Sequence, residues 1–176
     1  MSNWFIFYVQ TGKEQTACDF LNRLFDRNES LAFIPQVETI FKNSKILRKE
    51  LKPMFPGYVF TDSILEEKNF IIRTSKYIKF SKCIFNLLGK NAFSNIKLSE
   101  DEKNFLLKFC NDEYIAEESK GLIIGDKVYV TSGPLIGKES IIRKINRHKR
   151  RAEIELMCCG EAKRISVPFE VVSKVI

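Results

Sequence analysis

The chain has 176 residues, 29 Lys plus Arg against 22 Asp plus Glu, a single His and a net charge of +7. That length accommodates one large domain or two small ones, and 15 Phe with 5 Tyr supply more apolar surface than a disordered chain carries. The apolar run at residues 4–9 is far short of the roughly 20 residues of a membrane span and has neither a basic leader nor a small-residue cleavage site. A soluble, cytoplasmic protein with no membrane partner is expected. The five cysteines include no C-x-x-C pair, and one His gives no metal-ligand spacing, so the thiols read as buried and reduced and no metal site is expected. His148 lies inside a basic run, and neither G-x-S-x-G nor G-x-x-x-x-G-K-[ST] occurs. The sequence therefore points away from an enzyme and from a cofactor.

In chain order, residues 4–9 read as a strand covered on both faces. Residues 13–25 set Ala17, Phe20, Leu21, Leu24 and Phe25 at helical spacing, which turns one stripe to a core. Strands are expected at 33–41 and 46–52 around the turn Lys42-Asn43-Ser44-Lys45, and another at 57–62. A helix is expected over 66–75, whereas residues 82–98 carry no clear periodicity. Ser99 followed by Glu102 fits a capping box that opens a last helix burying Phe105, Leu106 and Phe109. Strand, helix, two strands and helix around one sheet make an α+β sandwich.

Charge then marks a boundary. Residues 1–111 hold 17 basic and 12 acidic side chains, residues 112–120 one basic and four acidic, and residues 121–176 eleven basic and six acidic. An acidic connector at 112–120 between basic modules at 1–111 and 121–176 is the expected organisation. The second module reads as all β. Val128 and Val130 alternate with polar neighbours, Gly133-Pro134 and Gly137 mark a turn, and residues 139–145 resume an apolar strand. Ala152, Ile154 and Leu156 alternate strictly with charged residues, and 163–167 and 170–175 add two short strands. Five short strands in so few residues must curl into a small barrel.

The window Arg143-Lys144-Ile145-Asn146-Arg147-His148-Lys149-Arg150-Arg151 holds six basic side chains in nine residues and no acid. Its midpoint is a hairpin tip, so several cations project together. Arg forks match phosphate and guanine geometry, and clustered charge on a narrow scaffold suits structured RNA. A solvated turn is the competing reading. Lys163 and Arg164, on a later strand, either extend this patch or solubilise the barrel. Residues 42–52, with five basic residues and one acid, carry the same ambiguity.

Three blocks carry a resemblance to a known family. Trp4-Phe5-Ile6-Phe7-Tyr8-Val9-Gln10-Thr11-Gly12-Lys13-Glu14 looks like the opening strand and helix start of NusG-like transcription elongation factors. Phe55-Pro56-Gly57-Tyr58-Val59-Phe60 is similar to that family's central strand, and Gly125-Asp126-Lys127-Val128-Tyr129-Val130 with Gly133-Pro134 and Gly137 looks like a KOW motif. The blocks stand in the family's order and span nearly the whole chain. Residues 8–14 and 145–154 resemble more closely the specialised LoaP-type antiterminator paralogs, although Ser140 stands where many KOW segments have a third Gly.

The resemblance implies an α+β NusG-like N-terminal domain, an antiparallel sheet flanked by helices, linked to a small all-β SH3-like KOW barrel. It implies a monomeric bacterial antitermination factor that docks on the clamp helices of RNA polymerase through Tyr8, Phe55 and Tyr58. It implies that a leader-transcript RNA hairpin binds the KOW domain, and the residues expected to hold it are those of the basic window, Lys144, Arg147, His148, Lys149, Arg150 and Arg151, together with Lys163 and Arg164 if they extend the patch. Gln10, Lys13, Arg73 and Thr74 match positions that approach the non-template DNA strand in relatives. A general NusG-type elongation factor without specific RNA recognition is the alternative, and a ribosomal or RNA-modifying KOW protein a more distant one.

Overall fold

The computed structural model describes residues 2–43, 46–89, 96–158 and 160–175. In chain order the first elements are β1 (Asn3–Val9), α1 (Glu14–Leu24), β2 (Ser30–Phe33), β3 (Gln36–Asn43), β4 (Ile46–Pro53), β5 (Tyr58–Ser63), α2 (Glu67–Ile78), β6 (Ile84–Leu87) and α3 (Glu100–Phe109). They are followed by β7 (Ile115–Ala116), β8 (Ser119–Ile124), β9 (Lys127–Ser132), β10 (Ile142–Asn146), β11 (Arg151–Cys158) and β12 (Glu161–Val175). Two compact units emerge. One comprises Met1–Pro35, Phe55–Asn104 and Cys158–Gly160, and the other Gln36–Met54, Phe105–Met157 and Glu161–Ile176. Among the described residues no helix is long and apolar enough to cross a membrane, and no cluster of His, Cys, Asp and Glu suits a metal ion.

The first unit is built on the sheet β2-β5-β1-β6, in which β1 runs antiparallel to both neighbours. Its central strand is buried on both faces, as the unbroken apolar run predicts: Trp4, Phe5, Ile6, Phe7 and Val9 are all buried. On the helix-covered face, Phe70 of α2 stacks on Phe5 with centroids 4.0 Å apart and on Phe25 at 5.4 Å. On the other face Trp4 meets Phe33 edge-on at 4.9 Å. Phe60 packs against Phe55 at 5.4 Å.

Three local expectations change. The segment read as one strand over 33–41 is two, because Pro35 lacks the amide a continuous ladder needs. As a result β2 pairs with β5 while β3 pairs with β4 and, in parallel, with β7 in a separate sheet. The turn expected at 42–45 lies partly outside the described residues, at Ser44 and Lys45. Helix α2 continues beyond Ser75 to Ile78. Within 82–98, Ile84–Leu87 forms an edge strand on β1 and Lys97 bridges Phe5; residues 90–95 lie outside the described ones. The capping box at α3 is present, with the Ser99 amide donating to Glu102 Oε2 at 3.0 Å and the Glu102 amide to Ser99 Oγ at 3.3 Å.

The C-terminal strands form a five-stranded sheet in the order β10-β11-β12-β8-β9. The alternation on β11 holds, with Ala152, Ile154 and Leu156 buried and Glu153 exposed. Residues 139–145, expected as one strand, divide into a 3-10 turn at Glu139–Ile141 and β10. The two short strands expected at 163–167 and 170–175 are one strand of 15 residues, which pairs in parallel with β8. Segment 112–120 contributes β7 and the start of β8. Gly133 makes the predicted turn at φ +90°, where an added Cβ would lie 2.5 Å from the Ser119 Cα.

Candidate functional site

On the first unit, β1 and its neighbours assemble an aromatic patch. Burial along β1 is interrupted at Tyr8, which is 42 % exposed. Antiparallel register sets Tyr8 opposite Tyr58 of β5, with ring centroids 5.6 Å apart, and Phe85 of β6 lies 5.3 Å on the other side. Phe85 is 56 % exposed. Of the three aromatics named from the sequence, Tyr8 and Tyr58 share this patch. Phe55, 5 % exposed, is buried against Phe60 instead. Phe85 escaped sequence reasoning because a four-residue edge strand is too short for its alternation to register.

The turn that carries Tyr58 is held by a buried contact. Gly57 sits at φ +85°, and its amide donates to Oε1 of the buried Glu14 at 2.8 Å while its carbonyl accepts from the Val9 amide at 2.8 Å. A Cβ at Gly57 would fall 3.1 Å from Thr11 Oγ1 and 3.7 Å from the Tyr8 ring. Glu14 also lies in the first turn of α1, where a carboxylate complements the helix dipole.

The residues matched to DNA approach divide in two. Gln10 and Lys13, both exposed, line a hollow of about 290 Å³ with Phe20, Phe80, Lys82 and Cys83. Arg73 is engaged elsewhere: its guanidinium pairs with Glu29 at 2.9 Å and lies over the Phe25 ring. Thr74 is 0 % exposed, its hydroxyl donating to the Phe70 carbonyl at 2.8 Å. It therefore has no surface to offer a DNA strand, and the expectation for it is revised.

On the second unit, β10 and β11 pair from Ile142↔Ile154 to Asn146↔Arg151, so residues 147–150 form the expected hairpin turn. The Asn146 side-chain oxygen accepts from the Lys149 amide at 2.9 Å, and the Arg150 amide donates to the Arg147 carbonyl. Lys144, Arg147, His148 and Lys149 are exposed and, among the described residues, carry no ion pair.

The arginines at the edges of the window, Arg143, Arg150 and Arg151, are engaged by neighbouring side chains. Arg150, at φ +49°, folds back to pair with Glu118 at 3.1 Å and Glu170 at 2.9 Å. Arg143 and Arg164 both hold Glu155, at 3.0 and 3.1 Å. Those bonds, led by that from Arg164, keep the Glu155 carboxyl below its usual range. Arg151 reaches Ser166 at 3.4 Å, and Lys163 pairs with Glu161 at 2.6 Å.

Beside the turn lies a groove of about 680 Å³ lined by Ile145, Asn146, Arg147, His148, Glu170 and Val171. Arg150 also contributes to its wall. Sequence reasoning missed Glu118 and Glu170 because their partner, Arg150, is tens of residues away from each, a separation that no local pattern records.

The family described as "Transcription termination factor nusG" matches residues 2–103. The chain is 21 % identical over 179 residues to the transcription termination/antitermination protein NusG of Rickettsia conorii, covering 99 % of this chain and 91 % of that protein. Identity to the NusG of Rickettsia typhi is 19 % over 179 residues, with the same coverage. A solved structure described as "Domain interaction in Thermotoga maritima NusG" has the same fold, with a TM-score of 0.50 at 16 % identity over 96 % of this chain and 94 % of that one. The matched residues run from β1 into α3 and so include the whole sheet that carries the aromatic patch; the chain belongs to the NusG family.

Proposed function

We propose that this chain is a transcription elongation and antitermination factor of the LoaP type. Its N-terminal domain, 1–111, rides the clamp helices of RNA polymerase. Its KOW domain, 121–176, joined through the acidic connector 112–120, captures an RNA hairpin in a leader transcript and promotes readthrough of terminators in long operons. The observation that carries this reading is the hairpin turn, where Lys144, Arg147, His148 and Lys149 stand exposed and unpaired among the described residues. Unpaired cations on a tight turn attract phosphate and release counterions.

Tyr8, Tyr58 and Phe85 support the polymerase contact, since clustered aromatics are the usual anchors for an amphipathic helix. Gln10 and Lys13, both exposed, meet the displaced non-template DNA strand in this reading. Two weak contacts on one chain raise effective concentration and recruit the factor to transcripts that carry the hairpin.

A second reading, the general NusG-type elongation factor without specific RNA, draws on the pairing of Arg143, Arg150 and Arg164 with carboxylates. That pairing lowers the charge available to RNA. The deciding experiment is selection of a structured-RNA pool on the full chain at near-physiological salt. Enrichment of one hairpin family, lost when Arg147 and Lys149 are both changed to Ala, is expected. Weak, sequence-blind binding would establish the second reading instead.

A further inference from the structure

The groove beside the hairpin turn is not uniform in charge. Its wall holds the Arg150 guanidinium, which is matched by Glu118 at 3.1 Å and Glu170 at 2.9 Å. Lys120 joins the other Glu170 oxygen at 3.3 Å. Two cations and two carboxylates leave the floor around Glu170 with no net charge, whereas Arg147, on the turn side of the lining, and Lys149 carry no ion pair among the described residues. A phosphate is therefore drawn to the turn and gains nothing from the floor.

The floor is instead suited to a flat, neutral heterocycle. Ile145 and Val171 offer apolar contact, and the exposed His148 ring offers a stacking face. Asn146 has spent its side-chain oxygen on the Lys149 amide, which leaves its NH2 as a donor. Glu170 is an acceptor on both oxygens, each with a second lone pair beyond the cation it already binds.

We infer that this groove takes one unstacked nucleobase of the bound RNA and that Glu170 makes it selective for guanine. The inference rests on reading the hairpin turn as an RNA surface. Guanine presents two adjacent donors on its Watson–Crick edge, N1–H and the N2 amino group, which match the two oxygens of a carboxylate. Adenine and cytosine each set an acceptor nitrogen beside their amino group, and uracil flanks its single N–H with two carbonyls. Each of those arrangements points a lone pair at Glu170, and an unpaired or repelled edge in a partly desolvated site costs affinity.

The test uses the full chain and four RNA stem-loops identical except for the central unpaired loop nucleotide, titrated by fluorescence anisotropy at about 0.1 M salt. The guanine stem-loop is expected to bind about five-fold or more tighter than the other three, the lower end for a bidentate base contact. Glu170→Gln, which keeps the side-chain shape but replaces one acceptor with a donor, is expected to level the four affinities. Lys149→Gln is expected to weaken all four alike and to flatten the salt dependence. Equal binding of all four RNAs by the unmodified chain overturns guanine selection while leaving the RNA surface intact. Absence of binding to any stem-loop overturns both. A guanine preference that survives Glu170→Gln removes Glu170 from the reading.

Discussion

Arg150→Ala separates the two jobs that basic residues do at the hairpin. In the folded chain Arg150 makes charge-assisted bonds to Glu118 and Glu170, whose side chains are 16 % and 30 % exposed, and is itself 31 % exposed. A fully exposed pair contributes about 0.2–1 kcal/mol, and a hydrogen bond to a charged group about 1.5–3 kcal/mol. Two bonds at intermediate exposure place the loss at about 2 kcal/mol, or roughly thirty-fold in the local opening constant. Hydrogen exchange followed by mass spectrometry reads this directly. Peptides over β11 and β12 are expected to exchange about thirty-fold faster in Arg150→Ala, with peptides over β1 as the internal reference. Arg147→Ala, at an exposed position with no ion pair among the described residues, is expected to stay within about 0.5 kcal/mol of the parent. Combining Arg150→Ala with Glu118→Gln should give less than the summed effects, since both remove one contact. If Arg150→Ala exchanges no faster than Arg147→Ala, the clasp contributes nothing and the reasoning fails. An RNA-binding defect in Arg150→Ala alone is accordingly ambiguous, which is why Arg147 and Lys149 form the diagnostic pair.

Replacing Tyr8 and Phe85 together with Ala is expected to weaken polymerase binding at least about thirty-fold, about 2 kcal/mol, at nearly unchanged stability; pull-down and thermal melts check both. Glu14→Ala strands the buried Gly57 amide and is expected to cost about 1–3 kcal/mol by urea titration, read from the Trp4 fluorescence, with Glu14→Gln recovering most of it. Gly133→Ala combines φ +90° with a Cβ 2.5 Å from the Ser119 backbone, and a loss of about 2 kcal/mol or more is expected in the C-terminal unit by the same exchange measurement. Burial pushes the Cys18 thiol up to about 11 and the Cys110 thiol up to about 12. Iodoacetamide at pH 8 should therefore label peptides containing either residue only after denaturation. The same shifts favour the folded state below the unfolded thiol value of 9.0, and that contribution should fade as pH rises through 9 to 12.

What was legible in the sequence was what repeats locally. The run Trp4–Val9, the Ser99–Glu102 box, the alternation over β11 and the Gly133 turn each record a single element's surroundings, and the structure contains all four. Strand limits were harder. Pro35 splits an apolar stretch whose composition alone looks continuous, and β12 runs through Pro168 where two short strands were expected. The candidate sites were half legible. Charge density found the basic window, but which cations are spent depends on Glu118, Glu155 and Glu170, which reach it only through tertiary folding. Likewise Tyr8 and Tyr58 lie in recognisable blocks, whereas Phe85 gains its place from pairing of β6 with β1.

The order of strands in the C-terminal sheet also dictates an order of events during synthesis. Strand β12 lies at its centre, between β11 and β8, and Phe169 pairs with Ser119 fifty positions earlier. Until residues 161–175 have been translated, β8–β9 and β10–β11 are two separate hairpins, each marginal in water. The sheet β2-β5-β1-β6, by contrast, has all of its strands once residue 87 is made. A nascent chain thus acquires its aromatic patch well before its basic hairpin is fixed in place. Arg150 can close on Glu170 only after residue 170 has been translated.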